Sequence, residues 1–291
     1  MNLLLLTVGP HLNTYSQANF AILSFLPYLQ PGQHTVYVCT DHPQYYQHLA
    51  QEVQLLPVTQ EQLTQWQGPH RFFWRIKIKA IEHLMSQAPD QPVVYVDSDV
   101  FLFQPPQAWW AQLQSGTAFM HQMEGQLSAL KSKTEKKMWQ QVQGMDFGAF
   151  QINSRHQMWN AGVVAVPAQQ NLAAIALALR ICDQMCAQQV TPRLIEQFAL
   201  SVALQETYGL QEAKPWLAHY WGNKEEWNER IAQFFLAARL EGCTVAQEVV
   251  RLQLFDFTSL ALVSRNKRTR ARLLHVVDRL FPLKAQVFIE K

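Results

Sequence analysis

The chain carries little charge for its size. Charged residues make up 16% of its 291 residues, whereas about a quarter is usual in globular proteins. Together with an apolar fraction of 48%, this excludes a disordered or solvating chain, which needs the opposite composition. The 24 basic and 22 acidic residues nearly cancel. No overall field therefore attracts nucleic acid, and we expect no nucleic-acid partner.

Cysteines and long apolar runs are also scarce. Four cysteines are too few for a disulfide scaffold, so we expect free thiols and a reducing, cytoplasmic location. The opening MNLLLLTVGP has no basic residue ahead of a short apolar run, which predicts a buried strand rather than a signal peptide. The other apolar runs are too short to cross a bilayer about 30 Å thick.

Strand and helix patterns alternate over the first two-thirds of the chain. Short buried strands separated by helices predict an α/β fold with a mostly parallel, doubly wound sheet, whose ligands bind beyond the carboxyl ends of the strands. The strand pattern fades near residue 225, which predicts a domain at 1–225 and a helical, basic extension at 226–291. We expect residues 122–154 to form an excursion over the sheet edge. The predicted strands are 3–8, 35–40, 54–58, 93–96 and 163–166, and the first predicted helices are 18–29, 44–51 and 71–86.

The sharpest local feature is the segment VVYVDSDVFLF at 93–103. Alternate residues of an extended chain point the same way, so Asp97 and Asp99 share a face while Ser98 points away. Two carboxylates so close resist joint ionisation without a cation, and Mn²⁺ or Mg²⁺ suits their oxygen ligands. In the alternative interpretation, Asp99 caps the next turn and Asp97 lies in a solvated loop.

The same DSDV segment fits two enzyme classes. The DxDx[TV] motif of aspartyl-nucleophile phosphatases is one of them, but it belongs on a first strand, and here it follows the fourth. That class also needs further acidic residues for its metal, and the later aspartates stand alone. A nucleotide-sugar transferase is the other class, and the rest of the sequence favours it.

Five segments, in order, resemble the GT-A glycosyltransferases, and most of all glycosyltransferase family eight, the group that holds glycogenin and the lipopolysaccharide galactosyl- and glucosyltransferases. The resemblance covers roughly residues 3–227. It implies a GT-A fold and transfer of a hexose from a UDP-sugar to a saccharide or lipid-linked acceptor, with retention and with Mn²⁺ or Mg²⁺. The segments are LTVGPHLNTYSQANFAILSFL, RFFWRIKIKAI, DSD, WNAGVVAV and HYWGNKEEW.

The resemblance implies a site that combines a metal with a basic group. His219 supplies a neutral nitrogen donor that completes a metal site with Asp97 and Asp99. Lys224 gives a point charge for the leaving diphosphate. An amide beside a tight turn, at Asn160 and Gly162, can hold sugar hydroxyls. The predicted catalytic residues are Asp97, Asp99, Asn160, Glu196, Gln197 and Lys224, and the predicted metal ligands are Asp97, Asp99 and His219.

Donor binding is predicted at nine positions. The resemblance places Tyr15 near the nucleotide base. Gly222 would let backbone come close to phosphate, and the basic residues before the DSD strand would reach the diphosphate. The full set is Thr7, Tyr15, Asp41, Arg71, Arg75, Lys77, Ser98, Gly162 and Gly222.

Two departures from the family pattern leave an alternative open. Glu196 stands where the family usually has Asp, and no proline follows Lys224. A catalytically degenerate GT-A protein that binds or scaffolds is therefore the competing hypothesis. If the enzyme instead inverts the anomeric configuration, Glu124, Asp146 and Glu196 are the candidate bases.

The C-terminal residues 261–291 hold eight basic and two acidic residues, although the whole chain is only +2. Apolar residues at helical spacing (Leu273, Leu274, Val277 and Phe281) lie among the arginines. This pattern predicts peripheral contact with an anionic membrane through residues 265–284, at its inner face. A helix packed on the domain with a solvated basic face fits the pattern equally well.

Overall fold

The computed structural model describes residues 1–130, 132–263 and 267–281, without the side chains of 267–272 and 275. The strands are β1 (Asn2–Thr7), β2 (Thr35–Thr40), β3 (Val53–Pro57), β4 (Val93–Val96), β5 (Val100–Leu102), β6 (Ala118–Gln126), β7 (Gln157–Val166), β8 (Leu210–Glu212) and β9 (Leu217–His219). The helices are α1 (Leu12–Phe25), α2 (Gln60–Trp66), α3 (Arg75–Gln87), α4 (Gln107–Gln114), α5 (Lys133–Val142), α6 (Asn171–Ala187), α7 (Ile195–Thr207), α8 (Lys224–Leu240), α9 (Val245–Gln253) and α10 (Lys267–Leu280).

The main sheet has the strand order β3-β2-β1-β4-β7-β6-β8. The first four strands are parallel, β7 runs antiparallel to both β4 and β6, and β8 is parallel to β6. Together with the flanking helices, this confirms the prediction of an α/β fold with a mostly parallel sheet and a helical C-terminal part.

The central strands β1, β4 and β7 are buried on both faces, which explains their nearly continuous apolar sequences. Leu4 of β1 packs into the core beneath α3, α6 and α7, whereas Leu3 and Leu5 pack into the core beneath α1, α4 and α8. Helices on both faces of the sheet therefore fix the position of the carboxyl ends of these strands.

A second, two-stranded sheet pairs β5 with β9 in antiparallel orientation. Its register places Val100 opposite His219. The amide of Tyr220 donates a hydrogen bond to the carbonyl of Asp99 (3.1 Å). This short ladder brings a residue from late in the chain next to the segment that follows β4.

Several sequence predictions need correction at the level of local structure. Helix α1 begins at Leu12, six residues before the predicted start, because the polar residues before Ala18 continue the helix. Helix α3 begins at Arg75, since Arg71 lies in a left-handed turn with φ of 49°. The predicted helix 44–51 is a 3₁₀ turn over Pro43–Leu49.

The segment 122–154 is more than the predicted excursion. Strand β6 runs as far as Gln126 and pairs with β7 inside the main sheet. Met138, Val142 and Ile152 are fully or almost fully buried in the core. The outer half of β6 is polar, so its sequence lacks the apolar pattern of the other strands.

The C-terminal helices differ in how they pack. Helix α8 packs on α1 through the buried side chains of Trp227, Ile231 and Phe234. In α10, all the apolar side chains that the structure describes are exposed. Of the predicted extension at 226–291, residues 264–266 and 282–291 lie outside the described residues, and the boundary at 225 stays a prediction. In the described part of the chain, no helix combines the length and apolarity that a membrane span requires.

Ser24 gives a test of how α1 is tied to β5. Its buried hydroxyl donates to the carbonyl of Ala21 (2.6 Å) and accepts from the amide of Leu102 (2.9 Å). Because Ser24→Ala leaves that amide buried without a partner, we expect the free energy of unfolding to fall by about 1–3 kcal/mol in urea denaturation. The matched variant Ser115→Ala removes an exposed hydroxyl and should change stability by less than about 0.5 kcal/mol. Equal effects of the two variants would contradict this role.

Candidate active site

Backbone pairing brings three parts of the chain together at the carboxyl end of β4. The amide of Asp97 donates to the carbonyl of Gly162 on β7 (2.8 Å). Asp99 is joined to the segment after β9 by the hydrogen bond from Tyr220. The side chains of Asp97, Asp99 and His219 therefore meet, although more than a hundred residues separate His219 from the two aspartates in the sequence.

Asp97, Asp99 and His219 form a compact cluster of potential metal ligands. One ligand atom from each residue lies within 4.8 Å of the other two. Asp99 and His219 are buried, with 2% and 7% of their surface exposed. Among the residues that the structure describes, this is the one such group of three or more.

Asn160 orients the imidazole of His219. Its Oδ1 lies 2.9 Å from Nδ1 of the ring and also accepts the amide of Gly162. Because Oδ1 can only accept, the proton lies on Nδ1, which turns Nε2 toward Oδ2 of Asp99 at 3.3 Å. A nitrogen and a carboxylate oxygen at that distance need either a proton or a shared cation between them.

Gly162 makes room for the ring. A Cβ atom at residue 162 would overlap the imidazole of His219. The glycine is therefore required by close packing of the histidine, whereas the sequence predicted it as a donor-binding residue in a turn.

Lys224 forms an ion pair with Asp99. Nζ of Lys224 lies 2.8 Å from Oδ2 of Asp99. Burial alone would raise the pKa of Asp99, but His219 and Lys224 together hold it well below its ordinary value. Lys224 itself is half-exposed, so it can leave this carboxylate without losing a buried position.

Lys77 is buried and bridges two acids. Its Nζ lies 3.1 Å from Oδ1 of Asp97 and 3.1 Å from Oε1 of Glu196, and it donates to the carbonyl of Ala161 (3.1 Å). Burial by itself would lower the pKa of Lys77, but the two carboxylates raise it above its ordinary value. Burial also raises the pKa of Glu196, which Lys77 partly offsets. Lys77 thus holds side chains of the site in place, rather than offering a free charge.

A carboxylate held by two amides faces the same space. Nδ2 of Asn160 donates to Oε1 of Glu124 (3.2 Å), and Nε2 of Gln197 donates to Oε2 (3.0 Å). These neutral donors fix the orientation of the Glu124 carboxylate. A chain of hydrogen bonds therefore runs from Gln197 through Glu124 and Asn160 to His219.

These side chains line a cleft of about 960 Å³. Ser98 lines it too, and its hydroxyl donates to Oε1 of Gln17 (3.0 Å). It does not point away from the site as the strand pattern predicted, because the chain turns after Val96. Glu196 lies behind Lys77. The predicted residues in the cleft wall are Lys77, Asp97, Ser98, Asp99, Asn160, Gln197, His219 and Lys224.

Three predicted donor-binding residues lie behind the cleft wall and hold a loop. The hydroxyl of Tyr15 donates to the carbonyl of Gly9 (2.6 Å) and lies 2.9 Å from Oδ1 of Asp41. Asp41 accepts the amide of Gly9. The hydroxyl of Thr7 is buried against that of Tyr46 at 2.7 Å. These contacts fix the loop between β1 and α1, and His11 at its end lines the cleft.

Other predicted residues are not brought to the cleft. Arg71 is exposed in its turn, and Arg75 is bound by Asp183 at 2.7 Å. Gly222 packs under Val263, whose side chain would lie 2.8 Å from an added Cβ atom. Its missing side chain therefore makes room for Val263. Asp146, a candidate base, is exposed and accepts the amide of Gly148.

The cleft also contains residues that the sequence did not assign to it. Gln17, Trp74, Arg193 and Trp221 line it. Trp74 and Trp221 lie inside the segments RFFWRIKIKAI and HYWGNKEEW, so the signal was present, but only the structure distinguishes their exposed rings from core tryptophans.

Comparison with protein families identifies the chain. The family model of the Rhodobacterales glycosyltransferase domain matches residues 33–208, more than half of the chain. The chain belongs to this family. No curated protein matches it. The DSDV segment is thus part of a glycosyltransferase rather than of a phosphatase, and the protein is an enzyme.

Solved structures similar to this glycosyltransferase are distant in sequence. One is the galactosyltransferase LgtC in complex with donor and acceptor sugar analogues, with 12% identity, 80% of this chain and 94% of that chain covered, and a TM-score of 0.49. The LgtC active-site mutant Q189E has 14% identity, coverage of 73% and 72%, and a TM-score of 0.46. Mouse xyloside xylosyltransferase 1, in its apo form, has 10% identity, coverage of 73% and 85%, and a TM-score of 0.45. At TM-scores below 0.5 these likenesses add nothing to the assignment, which rests on the family match.

The bridging role of Lys77 gives a stability test. Lys77→Met leaves Asp97 and Glu196 without their shared cation, so we expect the free energy of unfolding to fall by about 3–5 kcal/mol in urea denaturation. Adding Glu196→Gln should recover part of this loss, because one of the two uncompensated carboxylates is then neutral.

The matched variant lies on the same helix. Lys79→Met breaks only the partly exposed pair with Glu82 and should cost about 1 kcal/mol or less. If Lys77→Met costs no more than Lys79→Met, the bridge does not hold the site together.

Proposed function

We propose that this glycosyltransferase moves a hexose from a UDP-sugar to a saccharide or lipid-linked acceptor, with the retention that its resemblance to family eight implies. The observation that carries the proposal is the convergence of Asp97, Asp99 and His219 beside Lys224 in one cleft. A cluster of metal ligands next to a movable lysine suits a diphosphate, which needs both a divalent cation and a positive side chain.

The three potential metal ligands suit Mn²⁺ or Mg²⁺. Two carboxylates and one imidazole nitrogen match the oxygen and nitrogen ligands of these ions, and Mn²⁺ accepts imidazole more readily. The orientation of Nε2 toward Asp99 and the hydrogen bond that Asn160 makes to the far side of the ring are typical of a metal-binding histidine. Bound by Asp97, Asp99 and His219, the ion would supply Lewis-acid stabilisation of the diphosphate.

The other residues of the cleft bind and orient the substrates. Lys224 would exchange Asp99 for the diphosphate and stabilise the charge that grows on it as the glycosidic bond breaks. Asn160 and Gln197 fix Glu124, whose carboxylate accepts hydrogen bonds from sugar hydroxyls. Lys77 keeps Asp97 directed toward the cleft.

Calorimetry with UDP tests the proposed function. We expect UDP to bind the wild type in the presence of Mn²⁺ and to bind at least about tenfold more weakly when the metal is chelated, since metal and nucleotide share ligands. Asp99→Asn should abolish this metal dependence because it removes the buried anionic ligand.

Asp146→Asn provides the matched control, since Asp146 is an exposed carboxylate outside the cleft, and it should bind like the wild type. If UDP binds equally well without metal, or if Asp99→Asn binds like the wild type, the metal-dependent transferase is wrong. A degenerate binding protein would bind UDP and Mn²⁺ but hydrolyse no member of a panel of nucleotide sugars.

We also propose that the C-terminal segment contacts the inner face of an anionic membrane, as an acceptor linked to lipid would require. In α10, Leu273, Leu274, Val277 and Leu280 are each about half or more exposed. Exposed apolar residues among the arginines of this segment fit an interfacial helix. Of the proposed contact region 265–284, residues 265, 266 and 282–284 lie outside the described residues.

Liposome flotation tests the membrane contact. We expect the full-length protein to float with phosphatidylglycerol vesicles at low salt and to remain unbound with phosphatidylcholine vesicles, because the attraction is electrostatic as well as apolar. The triple variant Leu273→Gln, Leu274→Gln, Val277→Gln keeps the charge but should float several-fold less. A wild type that stays at the bottom of the gradient with anionic vesicles would refute the contact.

A further inference from the structure

Tryptophan is unevenly distributed between core and surface in this protein. The chain has nine tryptophans, all within the described residues, and seven of them are buried or half-buried. The remaining two, Trp74 and Trp221, are 52% and 53% exposed. Both line the active-site cleft. Exposed indole rings concentrated in one cleft are a marker of ligand contact rather than of folding.

Each of the two rings belongs to a segment that also supplies a charged or metal-binding residue of the cleft. Trp74 precedes α3 by one residue, and three residues later Lys77 reaches Asp97 and Glu196. Trp221 lies between His219 and Lys224. Aromatic surface from two separate segments therefore lines the same cleft as these charged side chains.

The ring of Trp74 is supported on one side. Phe73 meets it edge to face, with ring centroids 5.2 Å apart and an interplanar angle of 80°, a favourable aromatic geometry. Phe73 is itself 48% exposed and lines the cleft. A rigid aromatic side chain loses little conformational entropy on binding, so such a pair gives a ready contact surface.

The chemistry of the rest of the wall selects the ligand. In the proposed function, the metal ligands and Lys224 bind the diphosphate of the sugar donor. The rings of Trp74 and Trp221 are then available for an uncharged group. A pyranose ring has an apolar C–H face and a rim of hydroxyls, and the same cleft offers amide and carboxylate groups on Asn160, Gln197 and Glu124 for such hydroxyls. Sites of this kind join aromatic surface with a few polar groups that fix orientation.

We propose that Trp74 and Trp221 form a stacking platform for the acceptor, and that the acceptor is a pyranoside that lays its C–H face on these rings. This inference rests on the proposed function, since it names the second substrate of the same site.

Saturation-transfer NMR of the full-length protein tests the platform. The probes are methyl β-D-galactopyranoside, methyl β-D-glucopyranoside and methyl β-lactoside, each with saturating UDP and Mn²⁺. In the wild type we expect saturation of the ring C–H protons of at least one probe. Trp74→Leu and Trp221→Leu, which keep apolar bulk but lose the aromatic face, should weaken its binding about tenfold or more. Trp74→Phe and Trp221→Phe should keep most of it.

Leu240→Ala is the matched control, because Leu240 is exposed but lies outside the cleft, and it should behave like the wild type. The platform is overturned if no probe is saturated in the wild type, or if the leucine variants bind as the wild type does. It is also overturned if the leucine variants instead lose saturation of the uracil protons, because the rings then hold the nucleobase. Calorimetry with UDP and Mn²⁺ separates these results from a failure of the proposed function, since a protein that binds both while its acceptor platform fails remains a candidate transferase.

Discussion

His219 reaches the two aspartates because residue 162 has no side chain. The imidazole occupies the space that a Cβ atom at Gly162 would fill, and Gly162 accepts the amide of Asp97 from the neighbouring strand. Two residues earlier on the same strand, Asn160 binds Nδ1 of the ring. One short segment of β7 therefore sets both where the histidine lies and which nitrogen it presents. A bulkier residue at 162 would displace the ring from the cluster without touching either carboxylate.

Negative charge exceeds positive charge around this contact. With their carboxylates ionised, Asp97, Asp99, Glu124 and Glu196 carry four negative charges against the two positive charges of Lys77 and Lys224. The two lysines differ in what they can do. Lys77 is buried and tied to two acids and a carbonyl, so it is a permanent part of the wall. Lys224 is half-exposed and bound to one carboxylate, so it can move to a ligand at little cost in desolvation.

The fold was largely predictable, and the exceptions have physical causes. Strands β1, β2 and β4 are buried on both faces, so their sequences are nearly continuous apolar runs. Strand β6 escaped prediction because its outer half is polar and is held by pairing with β7. The sequence predicts the start of α1 six residues too late, because the residues of the helix before Ala18 are mostly polar. Only the packed helix shows that Tyr15 supports the loop at Gly9 from behind.

The sequence by itself determined the α/β class and the two aspartates after β4, because each rests on a local pattern. The pairing of those acids with His219 and Lys224 was predicted only through the resemblance to family eight. The tertiary structure decided which basic residues face the cleft. It directs Arg75 to Asp183 and encloses Lys77 between two acids, and it places Val263 against Gly222. It also decided which of nine tryptophans remain exposed. Residue type and spacing define what a side chain can bind, but its neighbours from distant parts of the chain define what it does bind, and those neighbours exist only once the sheet has formed.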